Sequence, residues 1–593
     1  MSNKKSFPLS VCIFPEPGPN AARTVSYPNY IHEILKHAGL CYSSIDVDDI
    51  AGALDDIKLL LTVGEYTLPD ELADRLRNWI KYGGALVSIG GICGLADVFG
   101  VQPELPTFSR RAVKFSTLGE GYLDPDDKKH QIIEHLDIPL HFFNGISVIA
   151  EDAQVIARVL DAHHRSTSHA GVTERKYGDG RCILIASDIT GSVVRIQQGV
   201  GVTRDGVSAP DGTASICDNA LKSGDGGVLD WFFDREQVVG MPGYSAFTQP
   251  VADQLRELLI RSILYLASDI GLTIPLLWLY PRNLPAVAHL SHDSDNNNIE
   301  NAQRMLEILN EADIHSTWCI IMPGYPENII DDIRKSGHEL AMHFDAMSGH
   351  TNWSEEEFDK QWRGLLELFG GKKPISNKNH FLRWEGDVEF FEWCERHNIM
   401  LDQSKGGSKA GDSGFTFGTC HVYFPVDFRE KTLDVLELPT LTQDLTISAP
   451  AELAAPLIAA ALKHHGIFHP LFHPAHVLKE DVAAVLQKVI ADAKSAGLEW
   501  FTAEQINSWE RARRSVEWSD YHVLEDGVSV VVEATSPLKD ASLMWLTADD
   551  AQIDIDESNS DTSKVIRWGF RFVSTLADLQ PGSKRVLRLN SRY

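Results

Sequence analysis

Basic residues and cysteines are both scarce in this sequence. Lysine and arginine together number 54 against 83 aspartates and glutamates, which gives a formal net charge of −29 at pH 7. A surface this acidic repels the phosphates of nucleic acids and the head groups of anionic lipids. We therefore expect no nucleic-acid partner and no membrane-surface partner.

The eight cysteines are scattered along the chain and form no Cys-x-x-Cys pair. This spacing favours neither a disulfide framework nor a cysteine zinc site, and it suits a reducing compartment. No apolar run approaches the about 20 residues of a transmembrane helix. The first apolar run, residues 11–14, is framed by Pro8 and Pro15, which indicates a strand rather than a signal peptide. We expect a cytoplasmic protein without a membrane span.

The length of 593 residues is too great for a single hydrophobic core. Apolar runs such as residues 57–63 and 85–89 alternate with helical patterns up to about residue 110, which is the βαβ pattern of a parallel sheet. A second α/β region begins near residue 286, and short alternating strands after residue 513 predict a small antiparallel β domain. We place the three domains at residues 1–275, 276–512 and 513–593.

Five polar clusters follow apolar strands in the middle region, where α/β barrels carry their chemistry. They lie at residues 292–295, 337–345 with His350 beyond, 379–384, 401–404 and 471–476. A single histidine or an Asp-x-Asp pair is more often structural than catalytic. The ordered series of carboxylates and histidines instead predicts a hydrolytic metal site, because zinc binds these donors and keeps an open position for water.

The same series resembles the polysaccharide deacetylase superfamily (NodB homology, carbohydrate esterase family 4), in the divergent branch whose first motif reads His-Asp-x-Asp. The resemblance covers most of residues 276–512 and implies a distorted (β/α)7 barrel. It also implies a hydrolase that removes an acetyl group from a carbohydrate, with N-acetyl favoured, through a water bound to a divalent metal. Zinc is the expected metal.

The family's motifs assign roles to individual residues. By resemblance, Asp293 is the catalytic base, Asp295 a metal ligand and His343 the first histidine ligand. The family's second histidine would fall on Met347, so the third ligand is either His350 or His380.

Three later motif positions complete the implied site. Arg383 stands where the family's arginine orients the base, and Asp402 lies in an Asp-x-Ser that resembles the fourth motif. His473, in Leu-Phe-His, stands where the family has its general acid.

The first domain resembles the class I glutamine-amidotransferase-like (flavodoxin-like) fold. Residues 90–94 carry Cys93 where that fold keeps its nucleophile, but no His-x-Glu pair follows at a strand end between residues 150 and 250. We therefore expect this domain to be noncatalytic, and the C-terminal domain to be a small β-sandwich. The alternatives are a noncatalytic carbohydrate-binding or assembly protein with a degenerate barrel and, as the weakest, amide transfer at Cys93. A homo-oligomer is compatible with the sequence.

Overall fold

The computed structural model describes residues 7–15, 23–105, 116–125, 129–206, 216–547 and 551–591. The chain forms two compact units, each built from separated segments. The first comprises Met1–Val193, Gln254–Asn283 and Ala512–Tyr593, and the second comprises Val194–Asp253 and Leu284–Arg511. The expected boundaries at residues 275 and 512 stay a prediction.

The first unit contains a nine-stranded mixed sheet. Its strands, in spatial order, are Ser43–Ser44, Leu9–Ile13, Leu59–Val63, Ala85–Ile89, Gly180–Ile185, Ser166–Tyr177, Gln154–Asp161, Thr117–Pro125 and Leu140–Ile146. The first five are parallel and the remainder antiparallel. The central parallel strands are buried throughout, as their unbroken apolar runs predict.

Several helices accompany this part of the chain. The longer ones are Tyr30–His37, Asp70–Lys81, Ile189–Gln198 and Val251–Asp269. Asp70–Lys81 buries Leu72, Leu76 and Ile80 on one face, which is the spacing of an amphipathic helix.

Two larger antiparallel sheets also belong to the first unit, together with the antiparallel pair Val101–Pro103 and Val148–Ala150. The four-stranded sheet pairs Pro275–Leu277, Leu538–Leu546, Phe570–Leu579 and Thr562–Arg567, and the five-stranded sheet pairs Glu517–Leu524, Gly527–Glu533, Lys584–Ser591, Ala551–Ile555 and Ser558–Asn559. The alternating strands predicted near the C-terminus are therefore present, and their assignment as a β-sandwich stays a prediction.

The second unit is built on an eight-stranded parallel sheet that curls into a half-barrel. In spatial order its strands are Leu436–Glu437, Leu401–Asp402, Ser376–Asn379, Glu339–Phe344, Thr317–Ile320, Ser291–Asp293, Pro470–Leu471 and Thr442–Gln443. Three further parallel strands, Ile467–Phe468, Val287–Ala288 and Glu499–Trp500, form a separate sheet. The predicted α/β class is confirmed, while the flavodoxin-like and (β/α)7 assignments stay predictions.

Helices follow most of these strands. They are Ile299–Glu311, Glu327–Lys335, Glu355–Leu368, Glu389–His397, Ala454–Lys463, Glu480–Ser495 and Ala503–Arg514. Glu327–Lys335 buries Ile329, Ile330 and Ile333. Asn298 caps the first of the helices by accepting a 3.0 Å hydrogen bond from the Asn301 amide, which ends the turn that follows Ser291–Asp293.

Two smaller features bear on the sequence predictions. Within the described ranges, no helix is both long and apolar enough to cross a membrane. All eight cysteines are free thiols. Cys217 is exposed, and the other seven are buried.

Candidate metal and catalytic centre

Asp293, Asp295, His343 and His380 meet at the carboxyl ends of the half-barrel strands. Asp295 lies in the turn after Ser291–Asp293, His343 lies near the end of Glu339–Phe344, and His380 directly follows Ser376–Asn379. Asp295 Oδ1 lies 3.5 Å from His343 Nε2 and 3.7 Å from His380 Nε2. Asp293 Oδ2 lies 3.7 Å from the same His343 nitrogen.

Each histidine is oriented through its other ring nitrogen. His343 Nδ1 hydrogen-bonds the Lys378 carbonyl at 2.8 Å, and His380 Nδ1 hydrogen-bonds Asp345 Oδ1 at 3.0 Å. Asp345 also accepts from the Met347 amide at 2.8 Å. Burial raises the pKa of Asp345, but these bonds, that of His380 first, outweigh it and hold the pKa below its usual range. Both Nε2 atoms therefore face Asp295, the arrangement typical of metal-binding histidines.

The donor set fits a divalent metal. Asp295 Oδ1 and His343 Nε2 are buried and have no hydrogen-bond partner among the described residues. Burial lowers the pKa of His343, yet Asp293 and then Asp295 outweigh it and raise that pKa. The pocket thus stabilises positive charge, and one carboxylate with two imidazoles is a ligand set that zinc prefers.

The two candidates for the third ligand are placed differently. His380 joins Asp295 and His343 in one group whose donor atoms all lie within 4.8 Å of one another. His350 is exposed in a turn. The geometry therefore favours His380, which lies on the next loop rather than on the same loop as His343.

His473 lies on the other side of the two aspartates. Its Nε2 is 3.9 Å from Asp293 Oδ2 and 3.7 Å from Asp295 Oδ2. Its Nδ1 makes a short hydrogen bond to Asp444 Oδ2, and Asp444 Oδ1 accepts from the His473 amide at 2.8 Å. Burial lowers the pKa of His473, but Asp444, followed by Asp293 and Asp295, raises it to about 10. His473 is therefore protonated at neutral pH.

Two predicted residues have other contacts. Arg383 donates to Glu385 through Nε at 3.1 Å and also through Nη2, and its Nη1 lies 3.2 Å from Met347 Sδ. Asp402 is fully buried and accepts 2.8 Å hydrogen bonds from Asn377 Nδ2 and Ser404 Oγ. Burial raises the pKa of Asp402.

Three residues to which the sequence motifs give no role touch the centre. Asp345 lies at the end of the predicted cluster 337–345, Asp444 directly follows the strand Thr442–Gln443, and each orients a histidine. Lys378 lies inside a strand whose four residues are polar and fully buried. A polar run of this kind predicts a surface loop, so the pattern contained no signal for it.

The aromatic residues near the centre belong mostly to the core. Trp384 and Tyr423 are fully buried, so neither ring is accessible for stacking against a sugar. Phe381 is different, because its side chain is 52% exposed directly beside His380. Its φ is +59°, a conformation that costs a non-glycine residue about 1–3 kcal/mol.

Cys93 in the first unit is held in a closed environment. It has φ +51° and its thiol is buried beside the Gly64 carbonyl. The amides of Ile92 and Cys93 donate to Glu65 Oε2 at 2.7 and 3.1 Å. Burial, and then Glu65, raise the pKa of the thiol well above its usual value. These contacts favour an unreactive structural cysteine.

Asp253, Cys420 and His421 form another buried group with metal-like spacing. Asp253 already accepts from Thr419 Oγ1 at 2.6 Å and from the Cys420 amide at 2.8 Å, and His421 Nε2 bonds the His464 carbonyl at 2.9 Å. These bonds give the group a structural role.

Comparison with known proteins gives partial likenesses. No family model matches the chain, and no curated protein matches it. A candidate polysaccharide deacetylase from Mycobacterium smegmatis is 16% identical, with a TM-score of 0.32 over 40% of this chain and 93% of its own. A family 4 acetyl xylan esterase from Clostridium thermocellum, solved with cobalt, is 17% identical, with a TM-score of 0.23 over 37% of this chain and 89% of its own.

A β-galactosidase from Bacillus circulans sp. alkalophilus is 18% identical, with a TM-score of 0.23. The match covers 32% of this chain and 29% of the galactosidase. Polysaccharide deacetylases are thus among the structural neighbours, at low identity and with partial coverage.

Proposed function

We propose that this protein is a metal-dependent hydrolase that removes an acetyl group from a carbohydrate. The observation that carries the proposal is the grouping of Asp295, His343 and His380 with Asp293 and His473. These five side chains combine a metal-ligand set with two groups suited to proton transfer. The motifs at residues 292–295 and 471–476 support the substrate class by their resemblance to polysaccharide deacetylases.

The residues divide the chemistry between them. A divalent metal held by Asp295, His343 and His380 would supply Lewis-acid polarisation of the acyl oxygen and activation of water. Asp293 accepts a proton from the attacking water, whose oxygen forms the new bond to the acyl carbon. His473 gives its Nε2 proton to the departing amine as the carbon–nitrogen bond breaks. Acetate and a free amine are the products, and such proton transfers contribute about 10²–10⁴-fold each.

The surroundings of the two proton-transfer groups suit these roles. Asp444 holds His473 protonated, which an acid must be before the reaction. Asp293 is buried, and its Oδ2 faces His343 and His473. The noncatalytic alternative drew its support from Met347, where the family has a histidine. His380 provides a nitrogen beside Asp295, which weakens that alternative.

The metal part of the proposal is tested by thermal unfolding of the chelator-treated protein. We expect Zn²⁺ at about 100 times its dissociation constant to stabilise the second unit by about 2.7 kcal/mol and to raise its Tm. His343→Ala should abolish the shift. His350→Ala is the matched control, since it removes an exposed histidine, and it should retain the shift. A zinc-independent Tm in the unmodified protein would contradict the proposal.

The catalytic part is tested by acetate release from a panel of N-acetylated and O-acetylated sugars. The zinc-loaded protein should release acetate from at least one N-acetyl sugar, and Asp293→Asn should lower kcat by about 10²–10⁴-fold. Absence of acetate release across the panel, with zinc bound, would favour the noncatalytic carbohydrate-binding alternative. Cys93→Ala should have no effect on release, because its thiol is buried in the other unit.

A further inference from the structure

Lys378 carries an ammonium group deep inside the half-barrel. It lies on the strand Ser376–Asn379, and its side chain is fully buried. Its Nζ donates a hydrogen bond to Ser291 Oγ, which in turn hydrogen-bonds His469 Nε2 at 2.9 Å. An ammonium taken out of water is costly unless a charged partner compensates for the lost hydration.

The nearby imidazoles do not supply that compensation. Burial, aided by the charge of Lys378 and opposed by hydrogen bonds to Phe501 and Gln403, lowers the pKa of His289 to about 4. Burial, followed by His289 and Lys378, also lowers the pKa of His469. An imidazole carries no negative charge in either protonation state, so neither ring compensates for the ammonium. The carboxylate that pairs with Lys378 is Asp293, whose Oδ1 lies 3.9 Å from Nζ.

The two oxygens of Asp293 face different groups. Oδ1 is turned toward Lys378 and has no hydrogen bond among the described residues. Oδ2 is turned toward His343 and His473, at 3.7 and 3.9 Å. The ammonium of Lys378 thus lies on the Oδ1 side of the carboxylate, and the two histidines lie on the Oδ2 side.

Arg383, to which the family resemblance gave the orientation of the base, has other contacts in the structure. Its guanidinium binds Glu385 and contacts Met347 Sδ. We propose that Lys378 is the positioning residue of the base Asp293, in the role that the sequence interpretation gave to Arg383. This inference rests on the proposed function, and one of its tests needs no substrate.

Lys378→Met removes the charge while keeping an unbranched side chain. We expect kcat to fall by at least about tenfold, and by less than the about 10⁴-fold limit for loss of an acid–base group, with KM and zinc stoichiometry unchanged. Arg383→Met should lower kcat less than Lys378→Met does. Equal or greater loss in Arg383→Met would overturn the assignment, and so would wild-type kcat in Lys378→Met.

Lys405→Met is the matched control. Lys405 is also a buried lysine of the second unit, but its ammonium lies 3.9 Å from the centre of the Trp384 ring, near Glu437. Both lysine variants should lose stability, while the fall in kcat should be specific to Lys378→Met. A parallel fall in kcat in both would show that lost stability, rather than positioning, explains the effect.

A double-mutant cycle on Tm, in chelator-treated protein, tests the pair without turnover. Lys378→Met should lower the Tm of the wild-type protein. In the Asp293→Asn background it should raise the Tm, because the variant then removes a buried ammonium that has lost its carboxylate. Equal shifts in the two backgrounds would show that the pair is not coupled. If no substrate is hydrolysed by the wild-type protein, the proposed function fails while this cycle still decides the pairing.

Discussion

Two aspartates determine how the histidines of the centre are presented. Asp345 holds His380 through Nδ1, and Asp444 holds His473 in the same way. In each case one ring nitrogen is committed to the aspartate and the other faces Asp295. The chemical outcome differs, because His380 is left with a nitrogen suited to a metal and His473 is left with a proton to donate.

This difference predicts opposite effects of the same substitution. Asp345→Asn should weaken zinc binding by about 10–100-fold, the usual cost of losing a group that orients a ligand, with kcat preserved at saturating zinc. Asp444→Asn should lower kcat with zinc affinity unchanged. Isothermal titration with zinc and steady-state kinetics measure the two quantities, and the reverse assignment of effects would contradict the roles given to His380 and His473.

Phe381 is the exposed aromatic side chain beside His380, and Lys222 Nζ lies 5.4 Å from the centre of its ring. An apolar ring held in a strained backbone conformation next to a reaction centre suits stacking against the apolar face of a sugar. Phe381→Ala should raise KM for an acetylated sugar by about 2- to 12-fold, if a sugar contact is worth the about 0.5–1.5 kcal/mol of a stacked aromatic pair. The KM for a small acetyl ester should not change.

Phe428→Ala provides the control for this prediction. Phe428 is also an exposed phenylalanine of the second unit, and its ring contacts Arg429. The variant should keep the wild-type KM for both substrates. A KM that rises equally for sugar and small ester in Phe381→Ala would indicate a disturbed centre rather than a lost sugar contact.

The half-barrel places the side chains of the centre through one repeated pattern, in which a buried strand ends in a polar turn. Ser291–Asp293 is followed by a turn in which Asp295 and Asn297 have positive φ values of 42° and 51°. Aspartate and asparagine adopt this conformation more readily than other non-glycine residues. Asn298 then begins the helix Ile299–Glu311, so the position of Asp295 depends on the start of that helix.

Loss of this cap should destabilise the second unit. Asn298→Ala should cost about 0.5–2 kcal/mol and lower Tm, and the freed turn should weaken zinc binding as well. Asn310→Ala, in the last turn of the same helix, removes an exposed side chain but keeps the backbone carbonyl that accepts the C-cap amide, so it should change neither quantity by more than the usual surface effect. A cap variant with unchanged Tm would show that the turn is held by other contacts.

The same strand-and-turn pattern explains which residues of the centre the sequence could predict. An apolar strand followed by acids or histidines is a local pattern, so Asp293, Asp295, His343 and His473 were predictable as neighbours of the centre. The choice between His350 and His380 was not, because it depends on which loop folds toward Asp295. Lys378 lies in a buried strand of polar residues, a pattern that does not predict a site residue. Arg383 binds Glu385, which lies only two positions away in the sequence.

The discontinuous units show the corresponding limit for the fold. Alternating strand and helix signals predicted the α/β class, because each signal extends over a few neighbouring residues. The grouping of Val194–Asp253 with Leu284–Arg511 depends on contacts between distant segments, such as the hydrogen bond from the Trp384 amide to the Leu221 carbonyl. Residues far apart in the chain leave no periodic signal of such contacts.

The net charge of −29 acts on the molecule as a whole. A negative surface potential concentrates cations around the protein and opposes the approach of anions. It therefore suits a divalent metal and a neutral or amino sugar better than a strongly anionic polysaccharide. The effect is screened by salt, since the Debye length is about 8 Å at physiological ionic strength.

The distribution of thiols makes the two units separately observable. Cys12, Cys41, Cys93 and Cys182 lie in the first unit, and Cys319, Cys394 and Cys420 lie in the second, all buried, while Cys217 is exposed. A thiol reagent should label Cys217 at once and each buried set only when its own unit opens. Zinc should slow the labelling of the second set and leave the first unchanged. Mass spectrometry of the modified peptides would then report the opening rate of each unit separately, from four buried cysteines in the first unit and three in the second.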